Sequence, residues 1–182
     1  ERDRAWHAGN SFWNGETDLY SFSVGIEIVN PGHAFGYTDF PDRQINAVIR
    51  LCRGIILCPG VMPDRVLAHS DIAPGRKVDP GEKFPWGKLA SKSIGHFVEP
   101  EPLTGGRFFA LGDEGQPIEA LQAMLALLGY DMPVTGVFDG QTEKNMKAFQ
   151  LHFRPEKIDG VADVSTIATL HKLLKAKPFP VS

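Results

Sequence analysis

The run Ala68-His69-Ser70-Asp71-Ile72-Ala73-Pro74-Gly75-Arg76-Lys77-Val78-Asp79-Pro80 constrains this chain more than any other segment. Its prolines and glycine rule out a continuous helix or central strand and prescribe a stiff, turning loop. Such a loop can bring the imidazole of His69 and the carboxylate of Asp79 to one point. A hydrolytic zinc site needs that kind of convergence, because three nitrogen or oxygen ligands hold the ion and a fourth position is left for water of lowered pKa. His69 and Asp79 are candidates for two of the ligands; by itself the segment also reads as an ordinary surface loop. Lys77 is placed to put positive charge where a tetrahedral oxyanion develops, although a lone loop lysine is also simply solvated.

Upstream, Ser21-Phe22-Ser23-Val24-Gly25-Ile26-Glu27-Ile28-Val29-Asn30 alternates with period two and predicts a strand, with Val24, Ile26 and Ile28 on one face and Glu27 on the other. A carboxylate projecting from a strand into a cleft can act as general base, and on an open sheet face it is merely solvated. Pro41 and Asp42 open a helix whose apolar positions Ile45, Val48, Ile49, Cys52, Ile55 and Ile56 recur at helical spacing until Pro59-Gly60 stops it. Arg65 to Ala68 is expected to be a short strand delivering His69.

From about Phe84 to Phe108 the pattern changes to glycine, proline and short apolar pieces, the signature of a domain end and a linker. Three helical patterns follow. Ile118, Leu121, Leu125 and Leu128 precede the stop at Gly129; Thr142 to Phe153 carries Met146, Phe149 and Gln150; Ser165 to Leu174 carries Ile167, Leu170 and Leu174. The loops Thr135-Gly136-Val137-Phe138-Asp139-Gly140 and Ile158-Asp159-Gly160-Val161-Ala162-Asp163 share a shape that suggests an internal duplication. The division is therefore residues 1–92, a linker over 93–107 and a three-helix unit over 108–177.

Among the 182 residues, 42% are hydrophobic and 23% charged, the composition of a globular chain. A net charge of -3 supplies no basic field for a polyphosphate backbone, so nucleic acid is not an expected partner. Cys52 and Cys58 fall on roughly opposite sides of the expected helix and read as buried free thiols rather than a disulfide or a metal pair. No apolar stretch approaches the length of a bilayer span. The first residues are not a signal peptide, and Glu1 is no natural start.

Taken together, Arg4-Ala5-Trp6-His7-Ala8-Gly9, Ser23-Val24-Gly25-Ile26-Glu27-Ile28 and the run from His69 to Pro80, in that order, resemble the zinc-dependent N-acetylmuramoyl-L-alanine amidases of type 2, the AmpD and AmiD group. The resemblance covers roughly residues 4 to 90. It implies an α/β fold, a mixed central sheet flanked by helices with zinc in a groove on its face. It also implies cleavage of the amide between the lactyl group of N-acetylmuramic acid and L-alanine in peptidoglycan or muropeptides, during cell-wall turnover. In that frame His69 and Asp79 bind Zn2+, Glu27 is the catalytic acid or base, Lys77 stabilises the transition state, and Trp6 and His7 lie beside the substrate groove.

The family takes its first zinc histidine from a strand upstream of the Trp-His-Ala-Gly motif, and this sequence has none there. The chain is therefore read as N-terminally incomplete, with the third ligand supplied by a separate N-terminal fragment or by removed residues. His7 as a substitute, and His33 after it, are weaker candidates. His96, His152 and His171 fall outside the catalytic region. A sheet short of a strand is expected to leave residues 1–92 unstable alone.

Residues 108 to 175 are similar to the type 1 peptidoglycan-binding domains, small all-α three-helix modules. The similarity rests on Leu121-Gln122, Thr135-Gly136-Val137-Phe138-Asp139, Thr142, Ala148-Phe149-Gln150 and Asp159-Gly160-Val161-Ala162-Asp163, with Thr166 and Leu170. A wall-binding module implies the bacterial envelope, in the periplasm or as an outer-membrane lipoprotein anchored through the missing N-terminus. Two rival readings are a noncatalytic peptidoglycan-recognition protein on the same fold and a metallopeptidase acting within the stem peptide.

Overall fold

A computed structural model describes residues 6–57 and 60–177. Cys58, and residues 4 and 5 of the first motif, lie outside the described residues. Among the described residues seven α-helices follow in order: α1 Leu19–Phe22, α2 Asp42–Leu57, α3 His69–Ile72, α4 Trp86–Ala90, α5 Gln116–Leu128, α6 Gly140–Phe153 and α7 Val164–Lys175. Short 3-10 turns occupy His33–Phe35 and Pro63–Arg65.

The expected mixed sheet is not found. Among the described residues no strand forms, and backbone pairing outside helices and turns consists of isolated bridges such as Phe109 with Ala162 and Glu114 with Val137. Residues 23–30 take up no regular secondary structure, and part of their alternation survives: Ile26 and Ile28 pack against the cluster around α2, while Glu27 and Val29 are exposed, but Val24, expected on the inner face, is exposed as well. What is absent is a neighbouring strand. A strand's backbone groups find partners only across a ladder, and here the carbonyl of Val29 instead accepts from the Gln44 side chain of α2 at 2.7 Å. Arg65 to Ala68 is corrected likewise: a 3-10 turn ends at Arg65, and Val66 to Ala68 lead into α3 with no partner strand.

Two apolar clusters organise the molecule, and they do not follow the division read from the sequence. In the larger one, Ile118, Leu121, Leu125, Phe138, Met146, Phe149, Leu170 and Leu173 of the helical unit pack together with Ala8, Trp13 and Leu19 from the other end of the chain. Trp13 meets Tyr130 edge to face at 5.0 Å. It also lies where any side chain at Gly129 would go, since a Cβ there would sit 2.5 Å from the indole. The smaller cluster joins Ile45, Val48, Ile49 and Cys52 of α2 to Phe84, Trp86, Leu89 and Ile94. Cys52 is buried and free, and burial pushes its thiol pKa up.

Residues 93–107, read as a linker, lie strapped along α7. His96 Nε2 donates to the Leu173 carbonyl at 2.9 Å, the Glu101 amide to Thr169 Oγ1 at 2.9 Å, and Lys172 Nζ to the Glu99 carbonyl at 3.0 Å.

Within the helical unit the two similar loops are wired alike. Gln122 accepts from the amides of Thr135 and Gly136 through Oε1 and donates to the Val137 carbonyl and Thr142 Oγ1. Gln150 accepts from the amides of Asp159 and Gly160 and donates to the Val161 carbonyl and Thr166 Oγ1. Asp139 then caps α6 through the Thr142 amide, and Asp163 caps α7 through the Thr166 amide, each at 2.8 Å.

Candidate functional site

The site is built on the loop that follows Ala68. Ala68 is buried and extended, α3 makes a single turn, and the Ser70 amide donates to the Asp79 carbonyl at 3.0 Å, so the two ends of the loop are tied side by side. Between them the Ala73 carbonyl accepts the amides of Arg76 and Lys77, and Gly75 takes a left-handed φ of 74°. The Asp79–Pro80 peptide is cis.

This closure brings His69 Nδ1 to 3.0 Å from Asp79 Oδ2. The other ring nitrogen, Nε2, lies 3.3 Å from the carbonyl of Ala8. Both nitrogens therefore face acceptors. A doubly protonated ring satisfies that arrangement, and so does a cation held between Nδ1 and the carboxylate while Nε2–H donates to Ala8. The second arrangement is the usual one around a metal, where a ligating histidine gives its remaining N–H to a carbonyl that sets its orientation. Two donors about 2.1 Å from a tetrahedral zinc stand about 3.4 Å apart, so this pair fits the ion with a small opening. The pair is open to solvent, the side chains being 21% and 58% exposed.

The first motif supplies that orienting carbonyl. Ala8 is buried, and its oxygen also accepts from Arg76 Nη2 at 2.8 Å, which reaches on to the Asn10 carbonyl at 2.7 Å. Gly9, at φ 66°, leaves the space the guanidinium fills; a Cβ there would lie 2.9 Å from its nitrogens. Neither Arg76 nor the Ala8 carbonyl was singled out from the sequence. A glycine in the first motif and an arginine inside the second were the available signals.

The other residues named from the sequence do not close around this pair. His7 Nε2 lies 2.8 Å from Ser23 Oγ, which itself donates to the Leu19 carbonyl, so His7 is turned to the second motif. Its Cβ stands where a side chain on Gly25 would collide. Trp6 is 89% exposed, its ring edge-on to Tyr20 at 5.4 Å. Glu27 is exposed, and Lys77 is half-buried in the loop. His33 pairs with Glu82 at 2.9 Å. Among the described residues no group of three or more His, Cys, Asp or Glu side chains is placed to hold a metal; His69 and Asp79 are two that face each other.

One residue set aside from the sequence stands next to the site. His152, on α6, is buried, and its Nδ1 donates to Asp71 Oδ2 at 2.7 Å, two residues from His69. The same oxygen accepts the Ala68 amide at 2.7 Å, and Oδ1 accepts the Tyr130 hydroxyl at 3.0 Å. Tyr130 keeps its proton, its pKa raised well above the usual range by burial and, secondarily, by the charge of Asp71. The His152 ring is stacked between Trp86 and Phe153, each 3.8 Å away. Position 152 follows Phe149 by three residues, a spacing that places both on one face of α6 and was the available signal for its burial; nothing signalled its partner.

Compared with known proteins, residues 1–82 match the N-acetylmuramoyl-L-alanine amidase family and residues 114–170 a peptidoglycan-binding domain. The N-acetylmuramoyl-L-alanine amidase AmiD of Escherichia coli is 37% identical over 183 residues, covering 96% of this chain and 65% of the relative. The 1,6-anhydro-N-acetylmuramyl-L-alanine amidase AmpD of the same organism is 40% identical over 86 residues, covering 47% of this chain and 45% of the relative. This chain thus spans under two thirds of the length of either. Among solved structures, E. coli AmiD in complex with anhydro-N-acetylmuramic acid-L-Ala-D-gamma-Glu-L-Lys superposes with a TM-score of 0.79 at 38% identity, covering 96% of this chain and 70% of that one. AmpDh3 from Pseudomonas aeruginosa gives 0.75 at 36%, with the same coverage.

Proposed function

Because this chain belongs to the N-acetylmuramoyl-L-alanine amidase family, we propose that it acts in zinc-dependent cleavage of the bond between N-acetylmuramic acid and L-alanine in peptidoglycan or muropeptides. The observation that carries this reading is the opposition of His69 Nδ1 and Asp79 Oδ2, with Nε2 fixed by the Ala8 carbonyl. These two side chains would hold the ion; the chemistry an ion supplies there is polarisation of a carbonyl and acidification of a water. The Ala8 carbonyl keeps the His69 ring from turning, and Arg76 keeps that carbonyl in place. Glu27, free of any ion pair among the described residues, is available to take a proton from the attacking water and return it to the leaving alanine nitrogen. Lys77 brings positive charge to the developing oxyanion. Trp6 and His7 would border the substrate. The third ligand would come from outside the described residues, for example from a separate N-terminal piece. A wall-binding helical module supports action at the cell envelope, in the periplasm, on wall rather than on soluble fragments alone; anchoring in the outer membrane would need a lipid attachment site beyond the described residues.

Digesting purified sacculi and an anhydromuropeptide, then identifying products by mass, tests the substrate. Release of stem peptides with a free L-alanine amino terminus is expected. Intact lactyl-alanine linkages with cuts inside the stem would overturn the substrate assignment in favour of a peptidase. Glu27→Ala should retain zinc and wall binding and lose turnover. The absence of a third metal-ligand side chain among the described residues favours one alternative, a noncatalytic peptidoglycan-recognition protein. It predicts muropeptide binding with neither zinc in the protein nor stem peptide released.

A further inference from the structure

We infer that the helical module positions the His69–Asp79 pair, through the hydrogen bonds that His152 and Tyr130 make to Asp71. The inference rests on the reading of those two residues as metal ligands and adds to it an internal strut that connects them to the wall-binding part of the chain.

Asp71 shares the single turn of α3 with His69, so where its carboxylate is held sets where the imidazole starts. That carboxylate is wholly buried. A buried carboxylate without donors costs several kcal/mol, and of the three donors here only the Ala68 amide belongs to the loop's own neighbourhood. Without the other two, α3 is held in its place far less firmly, because the carboxylate is drawn toward water. Both come from the module: Tyr130 from the turn after α5, and His152 from α6.

A second contact lies farther along the loop. The aliphatic stem of Lys144 lies across Gly75, where a Cβ would come within 2.7 Å of its Cδ. Lys144 and His152 are two turns apart on α6, about 12 Å, so one rigid helix touches the loop at Asp71 and again at Gly75. The orienting carbonyl of Ala8 belongs to the same support, since Ala8 and Trp13 are built into the module's core and Trp13 packs on Tyr130. Supports of His69 at Asp71, at Gly75 and at Ala8 thus run back to residues 108–177, alongside the loop's own bonds from Ala68, Ser70 and Arg76. None of these groups can reach a substrate from its buried position, so His152, Tyr130 and Asp71 are positioning residues.

Three variants of the 182-residue chain separate this role from general stability. Tyr130→Phe removes one hydroxyl. His152→Phe keeps an aromatic ring between Trp86 and Phe153 but removes the donor. His152→Asn restores an N–H near the place of Nδ1 without the stack. Amide hydrogen exchange is measured by mass spectrometry over residues 69–80 and over α7, and cobalt(II) affinity by competition with a chelator. The expected result is that Tyr130→Phe and His152→Phe exchange at least about tenfold faster over 69–80 while α7 keeps its protection. Cobalt affinity should fall by about tenfold, the usual scale for losing a group that supports a metal ligand, and His152→Asn should recover part of both. Unchanged exchange over 69–80 in both variants, or a parallel rise over 69–80 and α7, would overturn the strut. If the wild-type chain binds no cobalt, it is the metal reading that fails, and the exchange pattern still decides the coupling.

Discussion

Residues 108–177 and residues 6–57 respond differently to the same requirement, that every backbone polar group find a partner. In the helical module α5, α6 and α7 satisfy their own amides, and the two loops between them are closed by the buried glutamines Gln122 and Gln150. Its core positions Ile118, Leu125, Phe138, Phe149 and Leu170 are completely shielded from solvent. In the N-terminal stretch, by contrast, an alternating segment with good strand propensity forms no strand pairing among the described residues. Val29 is 86% exposed, and so are Phe22, Val24 and Phe35 to lesser or similar extents. A helix carries its hydrogen-bond partners within itself, whereas a strand borrows them from a neighbour. The same quality of local pattern therefore gives a finished element in one region and an unfinished one in the other.

Cutting the chain between the regions gives the largest expected effect. Residues 108–177 alone should keep their far-ultraviolet helix signal and melt cooperatively. Residues 1–107 should lose cooperative unfolding, because Trp13, Leu19 and Asp71 would be stripped of their covers. A cooperative transition in 1–107 would show that the N-terminal region stands without the module. Next in size is a core truncation: Phe149→Ala should cost about 3–5 kcal/mol in denaturant unfolding, while Val29→Ala should stay within about 0.5 kcal/mol. Comparable losses at the two positions would break the contrast. Gln150→Ala leaves the buried amide of Gly160 without an acceptor and should cost about 1–3 kcal/mol, with Gln122→Ala similar if the two loops are equivalent.

A smaller effect than the loss of either glutamine depends on pH. The Asp139 carboxyl is held below its ordinary value, first by the Thr142 amide that it caps. A depressed folded-state pKa means a contribution that is complete above the unfolded value near 3.8 and is lost as pH falls through the folded one. Asp139→Ala should destabilise the module by about 1 kcal/mol near neutral pH. It should also flatten the acid limb of its stability profile, and an unchanged acid limb would remove the cap from that account.

Much of the site was legible without coordinates. His69 and Asp79 were recognisable as a pair because proline and glycine bar a continuous helix between them, and after the single turn of α3 the loop does close on them. Helices α2, α5, α6 and α7 follow from apolar periodicity, with ends within a residue or two. The strand over 21–30 was misread because period two reports only which side chains share a face and says nothing of whether a partner strand is present; the mixed sheet was what the resemblance implied, and it is not formed among the described residues. His152 was set aside because distance along the chain hid its place beside Asp71. Over 93–107 glycine and proline mark irregular backbone, and irregular backbone can still be tied to a helix by side chains such as Thr169 and Lys172.

By itself, then, the sequence determined what is local: the four long helices, the shared shape of the loops at 135–140 and 158–163, and the turn that sets His69 and Asp79 facing each other. Tertiary structure alone decided that Trp13 completes the core of the module, that Ala8 and Arg76 orient His69, and that His152 and Tyr130 anchor Asp71. The physical reason is the range of the interactions. Hydrogen bonds within a helix or turn are set by residues a few positions apart, whereas burying a carboxylate or an indole depends on surfaces that meet only once the chain has folded.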